Sequence, residues 1–441
     1  MSATVAPLAG RGAPGLAPDP RVPGRDALLD ARGMTARLSH LLGEDGPVRI
    51  SRYERGRVKY RAGDSLRVVH ELCVAGNRCL VAGRTFPDGR SQGVYERAVA
   101  VADATAAGPL RGVAHDPELE TVFWAFPNDR KIANLAALEP ATGLVSGLTG
   151  RRVSRTVLAA YAPEKCATAA CLDAATGRPV AYAKLYASPG EAAHAHRVHT
   201  MLSERLGSLD PALRLPAVLG YAAAERMLVV EALPGRRIDT IRGSDRLGAM
   251  RVFGTALAVF HDLAGPDDAL PAFERIQPAR RRAAADLIAA ARPDVAAAAH
   301  RLAAALAERT PVAGAPPVGL HGDVHFKNGL IAEERVSLID LDDAGLGPAA
   351  ADIGSAIAKL RYQALLTGDT RRVRVFQQAL LDGYRTRRRP PAMEELRWHI
   401  AAALLSERAL RAVTRVRLDG LALLPAVLDD ALAVLDEGGA R

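Results

Sequence analysis

Apolar and polar positions along the chain follow two periods, two and about 3.6, and these divide it into blocks. Residues 1–25 are rich in Pro, Gly and Ala, show neither period, and are predicted to be disordered. A helix is predicted over 26–42. From 48 to 86 the runs VRISRYERGRVKY, SLRVVHELCV and RCLVAGRTF, split by Gly-Asp and Gly-Asn, read as three strands. A helix is predicted over 92–106. VFWAFPNDRKIANLAAL then reads as a strand, a turn at Pro127-Asn128-Asp129, and a helix. The same order recurs. RTVLAAYAPEKCA, ATAACLDA and RPVAYAKLYA read as strands, and a helix is predicted over 190–206. An offset of 100 aligns Leu72 with Leu172, Arg84 with Lys184 and Phe86 with Tyr186, while Tyr60 meets Tyr161 with one residue of slip. This reads as an internal repeat of three strands and a helix. Its first copy carries Arg84 where the second carries Lys184.

After the second copy, RMLVVEALPGRRI reads as a strand ending at Pro234-Gly235, suited to a crossing between two lobes. Beyond it, apolar residues recur at three- and four-residue spacing. Long Ala/Leu helices are predicted over 279–308, 350–366, 372–384, 393–415 and 420–438. One non-helical island, 317–343, interrupts them.

With 441 residues, 49% of them hydrophobic and 24% charged, the chain has material for two or three globular domains. This excludes a disordered chain, a collagen and a membrane bundle. No stretch of eighteen residues is apolar and free of charge, so no membrane span is expected. The first residues hold no continuous apolar run, so no signal peptide is expected. Lys+Arg outnumber Asp+Glu by 58 to 49, a formal charge of +9. A basic balance raises the question of nucleic acid, but 4% aromatics are too few for a stacking platform, and no nucleic-acid partner is expected. Only six of the basic residues are lysines, at 59, 131, 165, 184, 327 and 359, so each lysine stands out against arginine. Cys73, Cys79, Cys166 and Cys171 form no CxxC pair; reduced thiols and a cytoplasmic setting are expected.

The island carries the chemistry. It reads VGLHGDVHFKNGLIAEERVSLIDLDDAGLGPAAADIG and contains His321, Asp323 and Asn328. Two short strands, about 329–332 and 336–339, flank a Glu-Glu-Arg turn. The second ends in Asp340-Leu341-Asp342-Asp343, and carboxylates at a strand end collect a cation. Phosphoryl transfer asks a protein to hold a metal on the phosphates, grip them with a cation and orient the acceptor hydroxyl. Asp323 suits the base, Asn328 and Asp340 the metal, and Lys184 the phosphate clamp. A lysine inside the run VAYAKLY is costly without an anionic partner.

HGDVHFKN followed by LIDLDD, with Asp352 twelve residues after Asp340, resembles the aminoglycoside phosphotransferase family. That is a branch of the protein-kinase-like fold that phosphorylates small molecules, and the resemblance covers roughly 150–441. It implies an α/β, two-lobed protein-kinase-like fold using ATP and Mg²⁺. It also implies Asp323 as catalytic base, Asn328 and Asp340 as magnesium ligands, Asp352 as a structural brace and Lys184 on the nucleotide phosphates. Adenine is then expected on the backbone near Val230 and Ala232. Several actinobacterial kinases of this group, maltokinase and glucosamine kinase among them, carry an N-terminal cap. The domain expectation is therefore a disordered tail over 1–25, an additional α/β cap over 26–150, an N-lobe over 151–232 and a helical C-lobe over 233–441.

Two features depart from the pattern. There is no Gly-rich phosphate loop: the turn is Ala162-Pro163-Glu164-Lys165, where Lys165 reads as a surface lysine in preference to a phosphate contact. The helix glutamate that pairs with Lys184 is either Glu191 or Glu204, and Glu191 is favoured. His321, Asp323 and His325 also spell a metal-binding H-x-D-x-H, but a metallohydrolase needs further ligands, and His194, His196 and His199 form no HExxH. His321 reads as a hydrogen-bonding residue, and Asp342 and Asp343 as support for the site or as surface charge. The reading is an ATP-dependent phosphotransferase acting on a small-molecule hydroxyl. The alternatives are a non-catalytic pseudokinase or binding protein, and a metal-dependent hydrolase. Sugars, amino sugars and aminoglycoside-like natural products all remain open as acceptors, since the near-balanced charge beyond 233 marks no strong cation trap. No membrane partner is expected, and the oligomeric state is open.

Overall fold

Two five-stranded antiparallel sheets built on one plan make up the N-terminal half of the computed structural model. The structure describes residues 15–102, 108–140, 143–207, 210–274, 277–312, 314–333 and 335–437. Residues 1–14 of the expected disordered tail, residues 103–106 at the end of a predicted helix, Glu334 of the predicted turn and residue 438 lie outside the described residues.

The helix predicted over 26–42 is two helices, α1 (Arg25–Leu29) and α2 (Ala31–Leu41). Asp30 separates them: its backbone is extended, and its side chain accepts from Arg32 N and Gly33 N as an N-cap. The first sheet follows, with β1 (Ile50–Arg61), β2 (Ser65–Val74), β3 (Asn77–Thr85), then α3 (Ser91–Val99), β4 (Val113–Asp116) and β5 (Thr121–Ala125). Its order is β1-β2-β3-β5-β4. A 3₁₀ turn, Leu135–Leu138, and a short α4 (Leu144–Thr149) replace the single helix predicted after Asp129.

The second sheet repeats the plan. It comprises β6 (Val153–Ala162), β7 (Cys166–Asp173) and β8 (Pro179–Tyr186), then α5 (Pro189–Leu206), the two-residue β9 (Leu213–Arg214), β10 (Val218–Ala222) and β11 (Met227–Glu231). Apart from β9, which pairs elsewhere, the order is again first, second, third, fifth, fourth. The registers coincide. Arg84 faces Arg67 and Val122, and Lys184 faces Thr168 and Leu228, the second residue of the last strand each time. Each first strand also carries a bulge, between Arg55 and Val58 in β1 and between Leu158 and Ala160 in β6. Bulges re-aim side chains, and both of these border the same cleft.

Beyond β12 (Arg236–Arg237) the chain is mainly helical, with α6 (Asp245–His261), α7 (Pro278–Ala291) and α8 (Ala296–Glu308). Pro293 splits the helix predicted over 279–308, because it lacks the N–H that would continue the ladder. The island holds β13 (Val318–Leu320), β14 (Gly329–Ala332), β15 (Arg335–Leu338) and β16 (Gly345–Gly347). β14 and β15 sit between β12 and β9, and β13 pairs with β16. The remaining helices are α9 (Ala349–Thr367), α10 (Arg371–Arg385), α11 (Met393–Ala403), α12 (Leu410–Thr414), α13 (Leu418–Ala422) and α14 (Leu424–Asp436). A π-helical turn, Leu404–Ala409, joins α11 to α12, a distortion that concentrates at functional sites. Helices α6 and α10 touch backbone to backbone. A Cβ on Gly383 would sit 1.8 Å from Arg251 O, so no larger residue fits there. Among the described residues, no helix is long and apolar enough to cross a membrane.

Candidate active site

A cleft of about 990 Å³ lies between the second sheet and the island, and β1 of the first sheet forms part of its wall. Arg55, Gly56, Arg57 and Val58 line it, and Arg415 donates to Val58 O at 3.2 Å. The N-terminal sheet is therefore part of the site.

The loop after β13 is held from behind. Asp352, in the first turn of α9 and 1% exposed, accepts from His321 N at 2.7 Å and Gly322 N at 3.1 Å. His261 Nε2 lies 3.2 Å from the same carboxylate, and His261 Nδ1 lies 2.8 Å from the Tyr384 hydroxyl. Gly322 has φ +75°, and a Cβ there would meet Asp343 O at 1.9 Å, so the loop requires glycine. His321 Nε2 donates to Ile339 O at 3.1 Å, and its Nδ1 accepts from Asp323 N at 3.4 Å. Both ring nitrogens thus serve loop geometry. Replacing Asp352 with Ala strands two buried amides and His261. The expected cost is about 3 kcal/mol in urea unfolding, with a parallel fall in turnover; an unchanged midpoint would contradict the brace.

Asp323 projects from this loop. Asn328 Nδ2 donates to Asp323 O at 3.1 Å, which leaves the amide oxygen as its acceptor. Arg411 of α12 reaches Asp323 Oδ1 at 3.2 Å and His325 Nε2 at 2.6 Å. A guanidinium has no acceptor, so His325 Nε2 must offer its lone pair, and the ring is neutral. Burial and Arg408 hold its pKa far below the usual value against the pull of Asp323, which agrees. With Nε2 occupied by Arg411, the H-x-D-x-H pattern does not assemble as a metal site. Among the described residues no cluster of three or more His, Cys, Asp or Glu is placed to hold a metal ion.

Across the cleft, Lys184 Nζ lies 2.8 Å from Asp340 Oδ1 and 2.8 Å from Asp342 Oδ2. Asp340 adopts a left-handed backbone, φ +66°, which Asp tolerates better than most residues. Its side chain is 41% exposed, while that of Asp342 is 18% exposed. The Tyr186 hydroxyl donates to Asp342 Oδ1 at 3.0 Å, and His199 Nε2 stands 3.8 Å from that oxygen. Burial opposes ionisation of Asp342, yet His199 and Lys184 together hold its pKa well below the usual carboxylate range. The anion that steadies Lys184 is therefore Asp342 with Asp340. Glu191 sits exposed in the first turn of α5, where Ser188 Oγ caps its amide, and among the described residues it makes no ion pair with Lys184. The α5 residue that faces this cluster is His199, a little over two turns further along. Glu204 is exposed as well.

The hinge differs in one detail from the expectation. Val230, Glu231 and Leu233 line the cleft, but the Ala232 N–H is given to Val180 O at 3.2 Å. Ala232 is thus engaged in the sheet, and its donor is already used. The turn between β6 and β7 differs more. Glu164, φ +61°, is buried under three arginines of the N-terminal half: Arg67 at 3.1 Å, Arg130 at 2.7 Å, and Arg84. Asp129 Oδ2 accepts from Glu164 N at 3.0 Å and from Tyr161 OH at 2.7 Å. Arg84, the register equivalent of Lys184, thereby clamps the turn that stands where a phosphate loop is expected. Lys165 beside it is exposed and lines the cleft.

A family model described as the phosphotransferase enzyme family matches residues 175–399, from the turn before β8 through the whole island to α11. The chain belongs to this family. It is a small-molecule kinase with a two-lobed kinase-like fold. Among solved structures, similarity extends to the amicoumacin kinase hAmiN in complex with AMP-PNP, Ca²⁺ and Ami, at 12% identity and a TM-score of 0.48 over 67% of this chain and 92% of that one. Spectinomycin phosphotransferase APH(9)-Ia, in complex with ADP and spectinomycin, is 14% identical with a TM-score of 0.45, over 66% and 96% of the two chains. A choline/ethanolamine kinase family protein from Mesorhizobium loti is 14% identical with a TM-score of 0.44, over 68% and 93%. No curated protein matches this phosphotransferase in sequence.

Sequence reasoning missed the parts of the site that come from outside the matched segment. Arg57, Arg411 and Arg415 carried no local motif. The Glu164 clamp had one signal, the Arg84 that breaks the repeat. His199 had another, since it belongs to the buried stripe of α5 with Ala192, Ala195, Val198 and Leu202.

Proposed function

We propose that this phosphotransferase moves the γ-phosphate of ATP to a hydroxyl of a small molecule. The supporting observation is that Asp323, Asn328, Asp340 and Lys184, drawn from a loop, a 3₁₀ turn, a strand end and another sheet, line one cleft. The donor set fits a hard divalent cation: the Asn328 amide oxygen and the Asp340 carboxylate are oxygen ligands, and the Lys184 ammonium lies 2.8 Å from Asp340 as a positive charge would. Asn328 and Asp340 would hold magnesium, which supplies the charge that offsets the phosphate oxygens.

In this reading Lys184, positioned by Asp342 and Tyr186, grips the nucleotide phosphates. Asp323 orients the acceptor hydroxyl and takes its proton as the bond to phosphorus forms. Arg411 pairs with Asp323 and aims it, and Asp352 fixes the loop that carries it. The adenine lies near Val230 and Leu233. Residues 26–150 form a cap that completes the cleft, 151–232 the N-lobe and 233–441 the C-lobe. The four cysteines are free thiols, in keeping with a cytoplasmic enzyme supplied with ATP.

The test is ADP release from Mg-ATP across a panel of sugars, amino sugars and hydroxylated natural products. Acceptor-dependent ADP is expected; no nucleotide binding at all would sink the reading. A second measurement isolates the metal. Asp340→Ala is expected to abolish the magnesium-dependent gain in nucleotide affinity, about tenfold or more, in titrations with and without chelator. Equal affinity in variant and wild type with magnesium present would remove Asp340 from this role.

A further inference from the structure

A smaller cavity of about 220 Å³ opens on the same catalytic loop and shares Lys327, Arg411 and Arg417 with the main cleft. Lys184, Asn328 and Asp340 are not among its walls. It therefore lies on the acceptor side of Asp323. Its lining is basic, adding Lys359 and Arg408, and includes two carboxylates, Asp239 and Glu407. Both are already matched. Glu407 pairs with Arg408 at 3.1 Å and accepts from Ser355 at 2.8 Å, while Asp239 pairs with Arg237 at 2.6 Å. Arg411 is matched by Asp323.

Lys327, Lys359 and Arg417 are left, and among the described residues none of them forms an ion pair with a carboxylate; Lys359 feels Asp239, already paired with Arg237, only at longer range. Lys359 is half-buried on α9 with its ammonium 5.6 Å from the centre of the Tyr362 ring. Burial, with Arg408, Arg417 and Arg411 around it, outweighs the pull of Asp239 and pushes its pKa down to about 8. Like charges gathered with too few counter-charges are a standing cost, and an arriving anion relieves it. The rest of the cleft shows the same bias. Its carboxylates are those of the island plus Glu231, which pairs with Arg214, whereas among the described residues Arg57 and Arg415 form no ion pair with a carboxylate, Arg57 feeling Asp340 only at longer range. Four of the six lysines in an arginine-rich chain line these two cavities.

We propose that the acceptor is an anionic hydroxyl compound whose carboxylate or phosphate seats among Lys327, Lys359 and Arg417 while its hydroxyl meets Asp323. This rests on the kinase reading above and narrows it against cationic amino sugars. In the step itself, the acceptor oxygen bonds to the γ-phosphorus and the bond from that phosphorus to the β,γ-bridging oxygen breaks. ADP leaves with the electron pair, and the hydroxyl proton passes to the Asp323 carboxylate.

The experiment uses the full-length enzyme, Mg-ATP and matched acceptors on one hydroxyl skeleton: a neutral sugar, its amino sugar, its uronic acid and its phosphate monoester. ADP release, with Asp323→Asn as blank, is expected to favour an anionic member by about tenfold or more in kcat/KM. The uronic acid and phosphate arms tell carboxylate from phosphate. Lys359→Met is expected to raise the KM of that acceptor about tenfold with kcat changed by less than about threefold, and Lys359→Arg to restore it. Turnover of the neutral or amino sugar in preference to both anions, still dependent on Asp323, overturns the proposal and leaves the kinase reading standing. Should no member be turned over, enzyme saturated with Mg-AMP-PNP is titrated with inorganic phosphate. Saturable binding lost in Lys359→Met supports the anion pocket. Absent binding, or binding indifferent to that substitution, overturns it.

Discussion

Asp323→Asn is expected to lower acceptor-dependent ADP formation by about 10³-fold while nucleotide affinity stays within about threefold of wild type. The substitution keeps the size of the side chain and its place beside Asn328. It removes the lone pair that receives the hydroxyl proton and the charge that pairs with Arg411. In the proposed reading nucleotide contacts lie elsewhere, on Lys184, Asp340 and the hinge, so binding and chemistry should separate. Stopped-assay kinetics with a parallel nucleotide titration read both quantities. Near-normal turnover in the variant would remove Asp323 from proton transfer and return the site to its alternatives. Joint loss of turnover and nucleotide binding would instead mean that Asp323 shapes the whole cleft.

The second large effect is expected at Glu164, whose side chain is 4% exposed beneath Arg67, Arg84 and Arg130. Glu164→Gln leaves three arginines crowded without their shared anion. Breaking a buried ion pair from one side costs about 3–5 kcal/mol, and urea unfolding should show a loss on that order. The turn that carries Lys165 also loses its anchor, so the KM for ATP should rise. The dependence on pH follows from the direction of the shift. Burial alone would raise the pKa of Glu164, but the Arg130 hydrogen bond and the charges of Arg84 and Arg67 outweigh it, and the net shift is downward. A lowered carboxyl stabilises the fold above its unfolded pKa, about 4.3, and that contribution fades as pH falls through the folded value. The gap between wild type and Glu164→Gln should be full at neutral pH and should close only below about pH 4. A gap that persists unchanged into strong acid would mean that lost packing, not charge, is responsible.

Both substitutions test a division of labour between the two sheets. They share strand order, register and a bulge in the first strand, but they use their equivalent third-strand cations differently. Lys184 turns to the carboxylates of the island, and Arg84 turns to the turn of its neighbour. In this arrangement the first sheet stiffens the phosphate-side turn of the second and lends Arg57 and Arg55 to the cleft. A glycine-rich loop gains its grip on phosphate through bare backbone. Here a non-glycine turn is held by arginines from the N-terminal half, which in the proposed reading is a different solution to the same positioning problem.

The residues whose chemistry depends on near neighbours were legible in the sequence. Asp323 and Asn328 stand five positions apart in one loop, and Asp340 ends a strand, so backbone geometry alone decides where they stand. Lys184 was legible because strands repeat with a period of two, which let the two meanders be aligned and the odd residue be seen. Helix breaks at Asp30 and Pro293 were not, because helical spacing of apolar residues continues on either side of each.

Contacts between elements far apart in the chain were decided only by the fold. The partner of Lys184 is Asp342 with Asp340, more than 150 residues away, and not the glutamate of the adjacent helix, because the first turn of α5 faces solvent and His199 occupies the inner face. Arg411, Arg415 and Arg57 carried no local motif; tertiary packing turned them into the wall of a cleft. The near-balanced composition beyond residue 233 hid a local excess of cations, since net charge averages over a surface while binding depends on which charges a cavity collects. Sequence by itself determined the family and the class of enzyme, and marked the candidate residues, for these sit on short, regular stretches of backbone. What holds those parts, and what charge the acceptor meets, depended on the reach of long side chains across the closed structure.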